Sequence, residues 1–185
     1  MPTDYRLYFK TLIPNIIHLE KYVRGSKYPN KLNDRVQLFD KFILECNNDG
    51  NKCMQIGARG SKIGKNWVSV DLYDKSPEID FNYDIQALEF NNECFDGIVC
   101  NAILEHVENP IKAISELFRV LKKGGRIWVE APFNQPYHPT PGDFWRVTPD
   151  GLRIWMHQFK ELSSGAFYIN NSLIYTGTYF YGEKQ

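Results

Sequence analysis

Residues 95–132 constrain the fold more than any other stretch. They read F-D-G-I-V-C-N-A-I-L-E-H-V-E-N-P-I-K-A-I-S-E-L-F-R-V-L-K-K-G-G-R-I-W-V-E-A-P. Phe95 to Cys100 is short, apolar and β-favouring, and predicts a strand. Asn109-Pro110 predicts a helix start. The Asn side chain can accept from a free N–H of the first turn, and proline suits a position that needs no N–H. Ile111, Ile114, Leu117, Phe118 and Leu121 then share one helical face. Lys122-Lys123-Gly124-Gly125 reads as the helix end, because cations favour the negative end and glycine takes the left-handed position beyond it. Ile127, Trp128 and Val129 begin a second strand. Strand, helix and strand in this order make a right-handed parallel unit covered on both faces, which predicts an α/β fold.

The remaining chain extends this unit within one domain of 185 residues. Residues 1–50 read as an N-terminal helical segment of that domain, and residues 51–185 as its core. One or two short helices are expected over residues 3–24, broken near Pro14, and another over 33–46 with Val36, Phe39, Phe42 and Ile43 on one face. The early segment reads either as packing or as a lid or acceptor wall, with Tyr22, Arg24, Lys27 and Tyr28 as its candidate contacts. Cys53 to Gly57 predicts a strand ending in glycine. Trp67 to Leu72 predicts the next, with Asp71 at its end. Only a few residues separate them, too few for an ordinary crossover helix. Ile79 to Phe81 reads as a short edge strand. A helix follows Thr148-Pro149-Asp150, with Leu152, Trp155 and Met156 as its apolar face. Phe159–Ser164 and Leu173–Tyr181 read as the last two strands.

Composition narrows the function classes. The formal net charge is zero and no long Lys/Arg run occurs, which argues against sequence-independent nucleic-acid binding. The four cysteines, Cys46, Cys53, Cys94 and Cys100, form no C-x-x-C pair. They are expected as reduced thiols in a cytoplasmic protein, not as a zinc site. Asp4, Arg6 and Lys10 interrupt any signal-peptide core, and no apolar run is long enough to span a membrane. No metal-ligand cluster is evident, though Asp143 with His138 could contribute to one.

Two motifs, F-D-x-I-x-x-x-x-x-L-E-H-V-x-x-P and E-L-x-R-V-L-K-x-G-G-x-x-x-x-x-P, resemble the class I S-adenosylmethionine-dependent methyltransferases, type 11 subgroup. The resemblance implies a Rossmann-like, mostly parallel sheet with helices on both faces, an antiparallel C-terminal edge hairpin and, here, a shortened first crossover helix. It implies S-adenosylmethionine as cofactor and S-adenosylhomocysteine as product. The family's cofactor loop falls on Gln55, Gly57, Ala58 and Arg59. Gln55 stands where the family has an acid, Arg59 replaces a glycine, and Ser61 another. Asp71, with Leu72 beside it, matches the ribose-binding acid, and a carboxylate has acceptor capacity for two vicinal hydroxyls. Asp71 also reads as a solvated acid after a strand. Asp84 and Ile85 match the adenine contacts, although Asp84 reads equally as a turn cap. Asn101 and Ala102 match the backbone that lines the methionine part. His106 reads as a base or as a stacking group, and Glu105 as structural.

The densest polar and aromatic chemistry lies in F-N-Q-P-Y-H-P-T-P-G-D-F-W-R-V, residues 133–147, a proline-stiffened loop after the fifth expected strand. His138 offers a base near neutral pH, and Asp143 either shares that role or orients the histidine. Tyr137, Phe144 and Trp145 offer flat faces for a sugar or aromatic ring, and Arg146 an anion contact. The alternative reading is a loop whose aromatics plug the core and whose Asp143–Arg146 pair is local. H-x-x-P-x-D-F-W-R-x-T-P-x-G-L also resembles family members linked to sugar or polysaccharide modification, which implies a small-molecule or carbohydrate acceptor. The expected function is O-methylation with in-line transfer and a His/Asp base. A binding or scaffold protein on a catalytically degenerate fold is the alternative. A nicotinamide oxidoreductase fits poorly, because no G-x-G-x-x-G follows the first strand.

Overall fold

The computed structural model describes residues 32–57, 62–167 and 176–185. Ala58 and Arg59 of the expected cofactor loop, and the lid reading of residues before 32, lie outside them. The elements are α1 (Leu32–Cys46), β1 (Cys53–Ile56), β2 (Trp67–Val70), β3 (Phe95–Asn101), a 3₁₀ turn (Leu104–His106), α2 (Pro110–Val120), β4 (Leu121–Pro132), α3 (Pro149–Trp155), β5 (Lys160–Phe167) and β6 (Gly177–Glu183).

The strands form one sheet in the order β2-β1-β3-β4-β6-β5. β2, β1, β3 and β4 run parallel, and β6 and β5 close the far edge antiparallel. This is the α/β architecture that residues 95–132 predict. The expected edge strand at 79–81 is reduced to one bridge, Val70 to Phe81. The described part of the β1–β2 connection, residues 62–66, holds turns and no helix.

Side chains alternate across the pleat and divide the core. Ile98, Cys100, Ile127 and Val129 face Ala113, Ile114 and Leu117 of α2. Val99 and Trp128 face the opposite layer with Phe42, Cys46, Tyr179 and Tyr181. Asn109 caps α2 as its sequence requires, its side chain accepting from Lys112 N at 3.1 Å. Thr148 caps α3 by accepting from Gly151 N at 3.0 Å. Two expected core positions, Val36 and Ile111, are exposed.

The end of α2 differs from its sequence reading. The helix stops at Val120, and Leu121 already pairs with Phe95 in β4. Gly124 has φ +74 within β4 and is held by the C-terminal tail, with Gly124 N donating to Lys184 O at 2.7 Å and Lys184 N to Gly125 O at 3.0 Å. The cation at the helix end is Lys184, whose Nζ donates to Phe118 O at 2.9 Å and Leu121 O at 2.8 Å. Lys122 instead pairs with Asp96 at 2.8 Å. A distant ammonium thus satisfies carbonyls that local sequence assigned to a nearby one.

Candidate active site

β1 is flanked by β2 on one side and β3 on the other, so the strand order reverses there. In open α/β sheets the crevice beyond the carboxyl ends at such a point takes ligands. Gly57 ends β1 there with φ +76, a conformation that favours glycine. A Cβ at Gly57 would lie 2.1 Å from Ile103 Cδ1, so the missing side chain lets the segment after β3 approach. Ala102, the residue after β3, also has positive φ, +53, with its N–H donating to Glu130 O at 3.0 Å. A non-glycine residue held in this region costs on the order of 1–2 kcal/mol, and such strain clusters at ligand sites. Asn101 beside it is exposed.

The other expected cofactor residues are partly engaged by their own turns. Gln55 is buried, and its Oε1 accepts from Ile63 N at 3.0 Å, closing the connection after the cofactor loop. Asp71 Oδ1 accepts from Tyr73 N and Asp74 N, each at 2.9 Å, while Leu72 is exposed. Asp84 Oδ1 accepts from Gln86 N at 2.8 Å, which is the turn-cap geometry, and Ile85 is buried in the core.

The 3₁₀ turn and the 133–147 loop meet on the carboxyl side of β3 and β4. Three hydrogen bonds latch them together. Phe144 N donates to Glu105 O at 2.7 Å, and Trp145 Nε1 to Val107 O at 2.8 Å. His106 Nδ1 lies 2.5 Å from Gly142 O. The latch brings His138 to Glu105 and His106. His138 Nε2 is 3.9 Å and His106 Nε2 3.8 Å from Glu105 Oε1, and the two rings meet edge to face at 5.1 Å. Glu105 is 1% exposed, yet neither carboxylate oxygen has a hydrogen-bond partner among the described residues. Burial pushes its carboxyl up, and His106, His138 and Arg146 oppose that shift.

Asp143 stands behind His138. Its side chain is buried, accepting from Arg146 Nη1 at 2.6 Å, Arg146 Nη2 at 2.7 Å and His138 N at 2.7 Å. Arg146, and then burial working against it, set its carboxyl, which ends well below the usual range. Asp143 Oδ2 also lies 3.4 Å from His138 Nδ1. All five guanidinium N–H groups of Arg146 are engaged within the loop, on Gln135 O, Trp145 O, Pro136 O and the two Asp143 oxygens. The anion contact expected of Arg146 would have to share these donors. Tyr137 is 75% exposed and Trp145 40%, the latter edge-on to Trp155, so their rings stay accessible.

Arg146→Ala is expected to destabilise the fold by about 2 kcal/mol, because it strands a buried carboxylate; the figure is at the low end because Arg146 is 26% exposed. Asp143 is depressed in the folded state, so the pair stabilises above the ordinary carboxylate value, near pH 4, and loses that contribution as pH falls below it. The gap between wild type and variant in urea melts should therefore narrow below about pH 4. A gap that stays constant into acid would show that the pair does not hold the loop.

Glu105, read from the sequence as structural, is the buried member of this cluster. Its neighbour His106 gave the only signal, since nothing local reveals that a carboxylate is buried unpaired or that a histidine 33 positions later faces it.

Comparison with known proteins agrees with the fold. A family model described as a methyltransferase domain matches residues 61–129. Demethylmenaquinone methyltransferase of Renibacterium salmoninarum is 41% identical over 79 residues, 42% of this chain and 32% of that protein. The tRNA U34 carboxymethyltransferase of Campylobacter fetus subsp. fetus is 28% identical over 99 residues, 48% of this chain and 35% of that protein. The chain thus spans about a third of these curated relatives. The crystal structure of Burkholderia thailandensis 1,6-didemethyltoxoflavin-N1-methyltransferase, with bound 1,6-didemethyltoxoflavin and S-adenosylhomocysteine, superposes with a TM-score of 0.66 at 12% identity, over 100% of this chain and 92% of that one. With its strand order, reduced first crossover and antiparallel edge hairpin, this chain carries the class I methyltransferase fold.

Proposed function

We propose that the chain is an S-adenosylmethionine-dependent methyltransferase that acts on a hydroxyl of a small molecule or glycan, sugars foremost. The observation that carries this reading is His138, held by Asp143 and Pro136 on a latched loop at the carboxyl side of the parallel strands. The crevice residues fit the cofactor. Gly57 and the strained Ala102 bring backbone close at the switch point, and Asp71, fixed by its own turn, has acceptor capacity left for ribose hydroxyls. Asp84 and Ile85 flank the adenine end, and Asn101 the methionine end. Ala58 and Arg59 complete the loop by resemblance.

When bound, S-adenosylmethionine would supply a methyl group on a sulfonium, with S-adenosylhomocysteine as the leaving group that keeps the C–S electron pair. The chain's own work is to align the acceptor and accept its proton. His138 Nε2 takes the hydroxyl proton while the oxygen forms the new bond to the methyl carbon. Asp143 holds the His138 ring in place, which aligns the reacting atoms without itself titrating. Tyr137, Phe144 and Trp145, exposed on the same loop, offer faces for a sugar or aromatic ring.

Titration with S-adenosylhomocysteine tests the cofactor half. At a hundredfold excess over Kd the ligand should stabilise by about 2.7 kcal/mol. The melting midpoint should then rise by roughly 5–10 °C. Gly57→Val forces a β-branched residue into a left-handed conformation against Ile103 and should weaken binding about tenfold or more. No binding at millimolar ligand would move the assignment to a binding or scaffold protein on this fold. With binding established, methyl transfer to a panel of sugars tests the acceptor.

A further inference from the structure

We propose that Glu105, His106 and His138 form a binding site for one divalent first-row transition-metal ion, of the zinc or iron(II) kind. One ligand atom from each lies within 4.8 Å of the other two. A tetrahedral zinc with bonds of about 2.0–2.1 Å places its ligands roughly 3.3 Å apart. The observed separations from Glu105 Oε1, 3.8 and 3.9 Å, need only a small contraction.

Both rings are already oriented for ligation. His106 Nδ1 faces Gly142 O at 2.5 Å, and His138 Nδ1 faces Pro136 O at 2.8 Å. A carbonyl only accepts, so the tautomer with the proton on Nδ1 suits both rings, with Arg146 Nη2 also 3.3 Å from His138 Nδ1. Each Nε2 is left with a lone pair on the Glu105 side. A carbonyl or carboxylate behind the ring is the usual support of a metal-bound histidine, and Asp143 adds such a carboxylate behind His138.

Glu105 supplies the independent observation. Among the described residues, this 1% exposed carboxylate accepts no hydrogen bond at either oxygen, where buried polar groups ordinarily have one. Two imidazole nitrogens and that carboxylate lie within 4.8 Å of one another, a set complementary to a cation. Two nitrogens and one oxygen favour zinc, iron, cobalt or nickel over magnesium or calcium, which prefer oxygen. Three protein ligands leave a position open, as in catalytic and not structural sites.

This inference does not depend on methyl transfer, but it deepens that reading. A hydroxyl at the open position loses its proton to solvent more readily, and the oxygen then attacks the methyl carbon. His138 is in that state a ligand; in the metal-free protein it is the proton acceptor itself.

The test is calorimetric titration of the chelator-treated full chain with Zn²⁺, and with Mg²⁺ as the counter-probe. One equivalent of Zn²⁺ should bind. Affinity should fall in Glu105→Gln and His138→Ala by more than the roughly 10–100-fold that loss of a supporting hydrogen bond costs. Ring NMR of the wild type adds a readout that needs no variant: His106 and His138 should shift at one equivalent, and His157 should not. Failure of Zn²⁺ to bind, ring signals of His106 and His138 unmoved by it, or equal affinity in folded variants would overturn the site. S-adenosylhomocysteine binding, measured in the same samples, reports on the cofactor separately.

Discussion

Trp128→Ala is expected to destabilise the protein by about 3–5 kcal/mol, the range for removing a large buried aromatic. Trp128 is fully buried and lies at the centre of the α1-side core. Its ring stacks on Tyr179 at 5.4 Å and 12°, and on Phe42 of α1 at 6.3 Å and 19°. Phe39 and Tyr181 complete the cluster at 5.0 and 5.6 Å. Its Nε1–H donates to Glu130 Oε1 at 2.9 Å, an oxygen that also accepts from Arg35 of α1. Truncation therefore leaves a cavity and removes one partner from a buried carboxylate, and both terms act in the same direction. The melting midpoint should fall by roughly 10 °C or more. Trp128→Phe keeps most of the volume and should cost about 1 kcal/mol, the net value of the lost hydrogen bond. A Trp128→Ala loss under about 1 kcal/mol would mean that α1 is not fastened to the sheet here.

His138→Ala should lower turnover on a hydroxyl acceptor by roughly 10²–10⁴-fold, the usual contribution of a positioned base. The effect should fall on kcat, since His138 acts as the hydroxyl proton departs. S-adenosylhomocysteine affinity should be unchanged, because the crevice beyond β1 and the 133–147 loop are separate parts of the chain. The variant should also be nearly as stable as wild type, as the ring is 37% exposed. Near-full activity would remove the proton-acceptor role and point to a nitrogen acceptor, which needs less from a base. Comparing chelated and Zn²⁺-loaded wild type separates the two roles of Nε2. Equal rates would leave His138 as the base, while a rate that depends on the ion would make it a ligand.

Much of the fold was legible because its signals are local. Asn109-Pro110 and Thr148-Pro149 fix helix starts through caps that span three residues. The alternation of Ile127, Trp128 and Val129 tells which side chains share a sheet face. The short connection between the first two strands excludes an ordinary helix by length alone. Where reading failed, the partner was remote. Lys184 caps α2 from 66 positions beyond Phe118, so Lys122-Lys123 looked like the helix-end cations. Val36 and Ile111 fit an apolar face by spacing, but both are exposed.

The candidate site divides in the same way. The α/β class, the parallel unit, the glycine ending β1, the acid following β2 and the residue types of the 133–147 loop follow from residue order alone, because propensity, capping and alternation act over a few residues. Which of those side chains meet depends on the fold. It placed Asp143 under Arg146, engaged every donor of Arg146, and brought His138 against Glu105. Burial and hydrogen-bond partners assign each role, and both depend on residues that only folding makes neighbours, such as His106 and Gly142, 36 positions apart.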